Sequence, residues 1–263
     1  MTDQSQPPLL LRAAEAGVVT LTLNRPNARN ALSMALMGAL IDALREAAAD
    51  NSIHVVVIAG AGPAFCAGHD LKELRADSSR ATYQATFARC SELMMHIVRL
   101  PKPVIARVHG IATAAGCQLV ASCDLAVASA ETRFATPGVN IGLFCSTPMV
   151  AVSRAVGRKA TMEMLLTGDL VDADHAARIG LINRVVPPER LDAAVAELAG
   201  KIASKSPHVL AIGKEAFYRQ AELALDQAYA YTSEVMTTNM LAADAAEGID
   251  AFLEKRSPNW RNY

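Results

Sequence analysis

Two loops built from small residues are the places in this sequence where backbone amides could do chemistry. Residues 64–71 read Ala-Phe-Cys-Ala-Gly-His-Asp-Leu, and residues 109–116 read His-Gly-Ile-Ala-Thr-Ala-Ala-Gly and lead into a predicted helix. Small residues leave N–H groups accessible, and a helix start adds unpaired donors and a positive dipole end. Facing loops of this kind can stabilise an oxyanion such as a developing thioester enolate. The alternative reading, which spacing alone favours, is a pair of tight strand–helix turns that need glycine for steric reasons.

Other catalytic and cofactor motifs fail on their spacing. Gly60 and Gly62 follow a predicted strand as in a dinucleotide-binding loop, but the third glycine and the helix start are missing. No P-loop, G-x-S-x-G or H-E-x-x-H pattern occurs. The five cysteines form no C-x-x-C pair and have no metal-ligand spacing with the six histidines. We therefore expect reduced thiols, no metal, and an intracellular, cytoplasmic protein.

The elements that must position the loops alternate between strand and helix in the first half of the chain. Strands are predicted at 18–24, 53–59, 103–108 and 124–129. Ser33 predicts the start of a first helix, and a longer helix is predicted at 80–99, before Pro101. This alternation predicts an α/β fold with parallel strand pairing. Further on, a single strand at 181–186 is predicted among helices at 148–156, 158–166, 172–179, 188–205, 207–220, 223–241 and 245–255.

Composition excludes several classes of protein. Of 263 residues, 52% are hydrophobic and the formal net charge is −1, so the chain is not a disordered one and has no electrostatic reason to bind nucleic acid. The N-terminal residues lack a basic start followed by an apolar core, so no secretory signal is expected. The longest uncharged stretch, 134–153, contains Pro137 and Pro148, which favours loops and turns over a membrane span.

Several blocks of residues, in order along nearly the whole chain, resemble the enoyl-CoA hydratase/isomerase (crotonase) superfamily. They are 24–33, 64–71, 102–125, 134–143, 166–186 and 247–256, and they include Asn24-Arg25-Pro26 and the two small-residue loops. The resemblance implies a crotonase-like α/β fold of repeated ββα units over 1–200. It also implies a C-terminal helical region of the same unit over 201–263, and assembly into a homotrimer or hexamer.

The same resemblance implies binding of an acyl-CoA thioester in fatty-acid metabolism, with coenzyme A as part of the substrate and no other cofactor. The oxyanion-hole donors would be the backbone N–H groups of Ala67 and Ala115. The implied coenzyme A contacts are Ala28, Arg29, Ala67, Gly68, His69 and Asp70, with Phe252 and Lys255 at the nucleotide end, often of a neighbouring subunit. A cation suits a phosphorylated nucleotide. Arg29 and Lys255 also fit a second reading, as solvated surface charges.

The chain departs from the superfamily at the two catalytic glutamates of its hydratases. Gln118 stands at the position of the first and Gly138 at the position of the second. An amide can position a water molecule but cannot exchange a proton near neutral pH, and glycine has no side chain. The standard acid/base pair is therefore absent. We expect that restoring both carboxylates, by Gln118→Glu with Gly138→Glu, raises hydration above background.

Other side chains near the matched blocks are candidates to replace the glutamates. Simple structural readings apply to most of them: Asp124 as a structural carboxylate, Cys117 as a core thiol, and the two histidines as groups that orient backbone. The full set is Asp70, Asp124, Glu131, His69, His109, Cys117, Cys145 and Ser146. Two functions stay open. One is an acyl-CoA enzyme with hydratase-like, isomerase-like or thioester-hydrolysing chemistry, which we favour, and the other is a non-catalytic acyl-CoA-binding or regulatory protein.

Overall fold

The computed structural model describes residues 7–261. They form two β-sheets and the helices that pack around them. The strands are β1 (Leu10–Glu15), β2 (Val18–Leu23), β3 (Val55–Gly60), β4 (Val104–Val108), β5 (Ile111–Thr113), β6 (Leu125–Ser129), β7 (Arg133–Ala135), β8 (Val171–Asp172) and β9 (Arg184–Val186). The helices are α1 (Met34–Ala49), α2 (Leu71–Ala76), α3 (Arg80–Arg99), α4 (Ala115–Ser122), α5 (Pro148–Ala155), α6 (Arg158–Thr167), α7 (Ala173–Arg178), α8 (Leu191–Ala203), α9 (Pro207–Gln220), α10 (Leu225–Met240) and α11 (Ala243–Leu253). Three short 3-10 helices lie at Pro26–Ala28, Pro137–Ile141 and Pro188–Arg190.

The larger sheet has the strand order β1-β2-β3-β4-β6-β9 and is parallel except for the β1–β2 hairpin. Ala16 and Gly17, both at positive φ, make the two-residue turn of that hairpin. All six residues of β3 are buried, because helices cover both faces of the sheet at this point. On one face β3 contributes to the main core with α1 and α3, and on the other it packs against α8. The predicted α/β class and parallel pairing are confirmed.

The smaller sheet has the strand order β5-β7-β8. Its strands β5 and β7 lie between strands of the larger sheet and the helices that follow them in the chain. β4 is followed by β5 and α4, and β6 is followed by β7 and the 3-10 helix at Pro137–Ile141, so each is a strand–strand–helix unit. β5 and β7 pair in parallel, and the Ala114 N–H donates to the Ala135 carbonyl at 2.9 Å. The start of α4 and the residues that follow β7 are thereby held side by side.

The C-terminal helices are attached to this core by a carboxylate near the start of β6. Asp124 accepts from Lys214 Nζ at 2.6 Å, from Tyr218 at 2.8 Å and from the Val104 N–H at 2.7 Å. Lys214 and Tyr218 belong to α9, whereas Val104 opens β4, so Asp124 joins the helical region to the sheet. The structural reading of Asp124 is confirmed. Within residues 7–261, none of the helices combines the length and apolarity that a membrane crossing requires.

Candidate functional site

The turn after β2 is fixed against the first small-residue loop by a buried asparagine. Asn30 Oδ1 accepts from the Arg25 N–H at 2.8 Å, and its Nδ2 donates to the carbonyls of Ala61 and Ala64 at 2.9 and 2.7 Å. Arg29 and Asn30 both have positive φ, which turns the Arg29 carbonyl toward the loop while its side chain stays exposed. The resemblance-based contacts at 28–29 therefore lie beside the first loop.

The first loop is clamped along its length by backbone hydrogen bonds. Cys66 pairs with Ala112 of β5 in an isolated parallel bridge. The Ala67 N–H donates to the Arg29 carbonyl at 3.0 Å. Leu32 then donates its N–H to the Gly68 carbonyl at 2.7 Å and accepts from the Asp70 N–H at 3.1 Å. The loop is thus held in a strand-like form from both sides.

This clamp decides which amide of the loop stays available. The donor expected at Ala67 is already used, because its N–H donates to Arg29. Leu32 pairs with groups on both neighbours of His69, and in such a parallel pairing the N–H of the residue between them points to the opposite side. Within residues 7–261, the His69 N–H has no hydrogen-bond acceptor. The available amide lies two residues beyond the expected one.

The second loop brings the start of α4 into contact with the first. Ala114, the residue before α4, has a φ of +50 and makes no side-chain cap, and in the described part of the chain the N–H of Ala115 also has no acceptor. Gly68 has a φ of +99, and a Cβ there would lie 2.9 Å from the Ala114 Cβ and 3.3 Å from the Ala115 nitrogen. Only glycine allows this approach, which places the residue before His69 against the Ala115 nitrogen.

The two positions of the superfamily glutamates differ in their surroundings. Gln118 is buried in the first turns of α4, and its Oε1 lies 3.7 Å from the thiol of Cys90 on α3. Gly138 lies in a tight turn, where its carbonyl accepts from the Leu143 N–H at 2.9 Å. A Cβ on Gly138 would lie 2.8 Å from the Leu143 carbonyl oxygen and 3.0 Å from Cys145 Sγ. A glutamate at this position would therefore require the turn to move.

The His69 side chain is largely buried beside an aromatic ring. Its ring meets the ring of Phe87 on α3 edge to face, with centroids 5.5 Å apart. Burial lowers the pKa of His69 to about 4, so the imidazole is neutral at pH 7. Its Nε2 is buried and has no hydrogen-bond partner, a condition that costs about 1–3 kcal/mol for an ordinary polar group. Phe87 also lines an open cavity of about 650 Å³ along the first half of α3.

Asp70 and His109 have structural partners. Asp70 caps the start of α2 and lies 2.7 Å from Arg25 Nη2. Although burial raises it, these hydrogen bonds keep the pKa of Asp70 below its ordinary value. His109 Nε2 lies 2.7 Å from the Gly62 carbonyl oxygen, which agrees with its reading as a group that orients backbone.

The other candidate replacements do not form an acid/base group. Cys117 is buried, and desolvation raises the pKa of its thiol to about 12, so it stays protonated. Burial also raises the pKa of Cys145. Glu131 and Ser146 are exposed on turns. Within residues 7–261, no three His, Cys, Asp or Glu side chains come together as a metal site.

Phe252 and Lys255 lie at the end of α11, more than 100 residues along the chain from the two small-residue loops. The Phe252 ring is 81% exposed and lines a groove of about 530 Å³ with residues of α9, α10 and α11. Lys255 follows α11 with a φ of +55, and its side chain is exposed. Exposed side chains of this kind are available to a neighbouring molecule.

Comparisons with known proteins agree with this architecture. The profile of the enoyl-CoA hydratase/isomerase family matches residues 13–263. The chain is 48% identical to rat mitochondrial enoyl-CoA hydratase domain-containing protein 3 over 98% of its own length and 86% of the relative. It is 36% identical to 2,3-dehydroadipyl-CoA hydratase of Escherichia coli K12 over 96% and 98% of the two chains.

Solved structures show the same fold. A Mycobacterium smegmatis enoyl-CoA hydratase matches with a TM-score of 0.94 and 58% identity, covering 97% of this chain and 99% of that one. Human enoyl coenzyme A hydratase domain-containing protein 3 matches with a TM-score of 0.94 and 47% identity, covering 96% and 100%. The stretches 114–124 and 134–140 resemble this second type in particular. The crotonase-like fold with a C-terminal helical region is confirmed, and the chain belongs to the enoyl-CoA hydratase/isomerase family.

Proposed function

We propose that this protein binds an acyl-CoA thioester and polarises its carbonyl group with the backbone amides of His69 and Ala115. The observation that carries the proposal is the close approach of Gly68 to Ala115, because the N–H groups of Ala115 and of His69, the residue after Gly68, both lack acceptors in the described part of the chain. Hydrogen-bond donors fixed in this way stabilise negative charge on the thioester oxygen and so favour an enolate. This pair replaces the pair Ala67 and Ala115 expected from the sequence, because the Ala67 N–H is already bonded to Arg29.

The coenzyme A portion would lie along the turn after β2 and the outer side of the first loop. The residues proposed to contact coenzyme A there are Ala28, Arg29, Ala67, Gly68 and Asp70. The exposed Arg29 guanidinium suits a phosphate group. Phe252 and Lys255 would reach the nucleotide end from a neighbouring subunit of a homotrimer or hexamer. Their exposure at the end of α11 supports that arrangement.

The chemistry proposed is that of a hydratase-like or isomerase-like enzyme of fatty-acid metabolism that works without the glutamate pair. The hydratase names of its relatives support reaction on an acyl-CoA. Gln118 can position a water molecule or a substrate group through hydrogen bonds. Gly138 carries no carboxylate, so proton transfer in this proposal does not use position 138.

A second function is a non-catalytic acyl-CoA-binding or regulatory protein. It is favoured by one observation, the closed turn at Gly138, since a side chain there would require the turn to move. Both functions need the same thioester contact. They differ in whether the bound thioester turns over.

The test separates binding from turnover. Purified protein is titrated with butyryl-CoA and with free coenzyme A by calorimetry, and mixed with crotonyl-CoA and longer enoyl-CoA thioesters while the conjugated thioester absorbance is followed. Tighter binding of butyryl-CoA than of free coenzyme A is expected, and equal binding contradicts the thioester contact. Turnover that is lost in Gln118→Ala supports the enzyme, whereas binding without turnover of any thioester supports the second function.

Neither of the two proposed functions determines where in the cell the protein acts. The names of the animal relatives give a mitochondrial location, which does not fit the plainly cytoplasmic one expected from the sequence.

A further inference from the structure

Helix α11 ends in a turn that is completed by a lysine and not by a glycine. The Arg256 N–H donates to the Ala251 carbonyl at 3.0 Å, and the Lys255 N–H donates to the Phe252 carbonyl at 3.3 Å. With a φ of +55 at Lys255, these two bonds form a common left-handed helix ending, in which glycine is the usual residue at this position. A side chain at such a φ is disfavoured because of its Cβ. A residue kept there at a conformational cost points to a function of its side chain.

The residues after this turn fold back along α11, and we call residues 254–261 the C-terminal strap. Trp260 Nε1 donates to the carbonyl of Ser204, just after the end of α8, at 2.9 Å. The Arg261 N–H donates to Oδ1 of Asp244, in the first turn of α11, at 2.6 Å. The strap therefore returns from the end of α11 to its beginning and is hydrogen-bonded there.

One carboxylate of α11 joins the strap to the turn. Glu247 accepts from Arg256 Nη1 at 2.6 Å and from Nη2 at 3.0 Å, and its Oε1 also accepts from the Asn259 N–H at 2.7 Å. Exposed ion pairs contribute little in general, but a bidentate pair fixes geometry, and the Glu247 side chain is only 16% exposed. The hydrogen bonds from Arg256 and Asn259 lower the pKa of Glu247 to about 2, so the carboxylate is ionised at neutral pH.

The bidentate pair fixes the backbone next to Lys255. Arg256 is the following residue, so its contact with Glu247 holds the chain where the lysine takes its left-handed conformation. Phe252 lies on the same turn, since its carbonyl accepts from the Lys255 N–H. Glu254, the carboxylate that precedes Lys255 in sequence, pairs with Arg256 Nε at 2.5 Å. This pairing leaves the exposed lysine ammonium available to a bound anion.

We propose that Glu247 is a positioning residue, which through Arg256 holds Lys255 and Phe252 in place for the nucleotide end of coenzyme A. The inference rests on the proposed function, in which these two side chains reach a coenzyme A molecule on a neighbouring subunit. Glu247 itself does not touch the ligand. It fixes the turn before the ligand arrives, so binding does not have to order the strap.

The experiment compares two thioesters, one with and one without a nucleotide. Butyryl-CoA and S-butyryl-pantetheine, which lacks the nucleotide and its phosphates, are titrated by calorimetry into wild type, Glu247→Gln, Lys255→Met and the double variant. We expect Lys255→Met to bind butyryl-CoA about tenfold more weakly. Glu247→Gln should lose nearly as much, and the double variant no more than Lys255→Met alone. Neither single change should alter the affinity for S-butyryl-pantetheine, because that ligand does not reach the turn.

Each outcome decides a separate point. Glu222→Gln removes an exposed ion pair with Arg154 and is the control, which should leave both affinities unchanged. Unchanged butyryl-CoA affinity in Glu247→Gln, an equal loss for both thioesters, or additive losses in the double variant overturns the positioning role. Unchanged butyryl-CoA affinity in Lys255→Met instead overturns the nucleotide contact of the proposed function.

Two further measurements keep the test decisive. Light scattering should give the same assembly for wild type and Glu247→Gln, and a changed assembly contradicts a role confined to the turn. If Glu247→Gln does not fold, Arg256→Lys replaces it, because lysine keeps the charge but loses the bidentate contact. If S-butyryl-pantetheine binds too weakly to titrate, the comparison of single and double variants with butyryl-CoA decides.

Discussion

Gly138 and Leu143 close a turn so tightly that a Cβ on Gly138 would lie 2.8 Å from the Leu143 carbonyl oxygen. The contact is with backbone, so a side chain there requires the turn to move. A glutamate at position 138 is therefore incompatible with the turn as it stands. This alters the expectation that Gln118→Glu with Gly138→Glu restores hydration.

The first prediction is that Gly138→Ala destabilises the protein. Overpacking against backbone typically costs about 1–3 kcal/mol, and urea denaturation should show a loss in that range. Gly200→Ala in α8 is the control, because a Cβ there meets nothing within 4 Å. The double glutamate variant should lose stability and gain no hydration in the crotonyl-CoA assay. Unchanged stability of Gly138→Ala would show that the turn moves freely.

The second prediction concerns the contact between the two loops. Gly68→Ala places a Cβ 2.9 Å from that of Ala114 and forces a residue with a side chain to adopt a φ of +99. We expect butyryl-CoA affinity to fall at least about tenfold and stability to fall by about 1–3 kcal/mol. Gly213→Ala in α9 is the matched control, and it should keep affinity and gain up to about 1 kcal/mol of helix stability. Normal affinity in Gly68→Ala would contradict the amide pair.

The third prediction concerns the attachment of the helical region. Lys214→Met leaves the largely buried Asp124 carboxylate without its cation. Breaking a buried pair in this way costs about 3–5 kcal/mol, measurable by urea denaturation. Arg154→Met removes an exposed ion pair with Glu222 and should cost less than about 1 kcal/mol. Similar losses in both variants would show that Asp124 does not carry the attachment.

The fourth prediction is a pH dependence of stability due to His69. Its pKa is lowered by burial to about 4, against an ordinary value of about 6.5, so the unfolded chain binds the proton more readily than the folded one. The stability that the neutral ring provides is complete above pH 6.5 and is lost as pH falls toward 4. Relative to His69→Phe, wild type should lose about 2 kcal/mol between pH 7 and pH 5. Parallel losses in the two proteins would contradict a buried, unpaired imidazole.

The sequence predicted the long elements well because their end signals are local. Helix α3 ends before Pro101 as expected, and α9 spans the predicted 207–220. The strands β5 and β7 were not predicted, because three residues are too few for a periodic pattern and their pairing depends on tertiary contacts. β1 was missed because its mostly exposed residues show no alternation. The strand predicted at 181–186 covers only 184–186.

The two small-residue loops were predicted from the sequence, but the available donor in the first one was not. The difference between Ala67 and His69 depends on Leu32, whose pairing with both neighbours of His69 spans more than 30 residues of chain. No local pattern contains that information.

The thioester contact is built from main-chain amides, and this has an evolutionary consequence. An amide donor is deleted only by a substitution to proline, whereas a catalytic glutamate is lost by any substitution of that residue. The side chains at positions 118 and 138 can therefore change during evolution while the proposed hydrogen bonds to the thioester oxygen are kept.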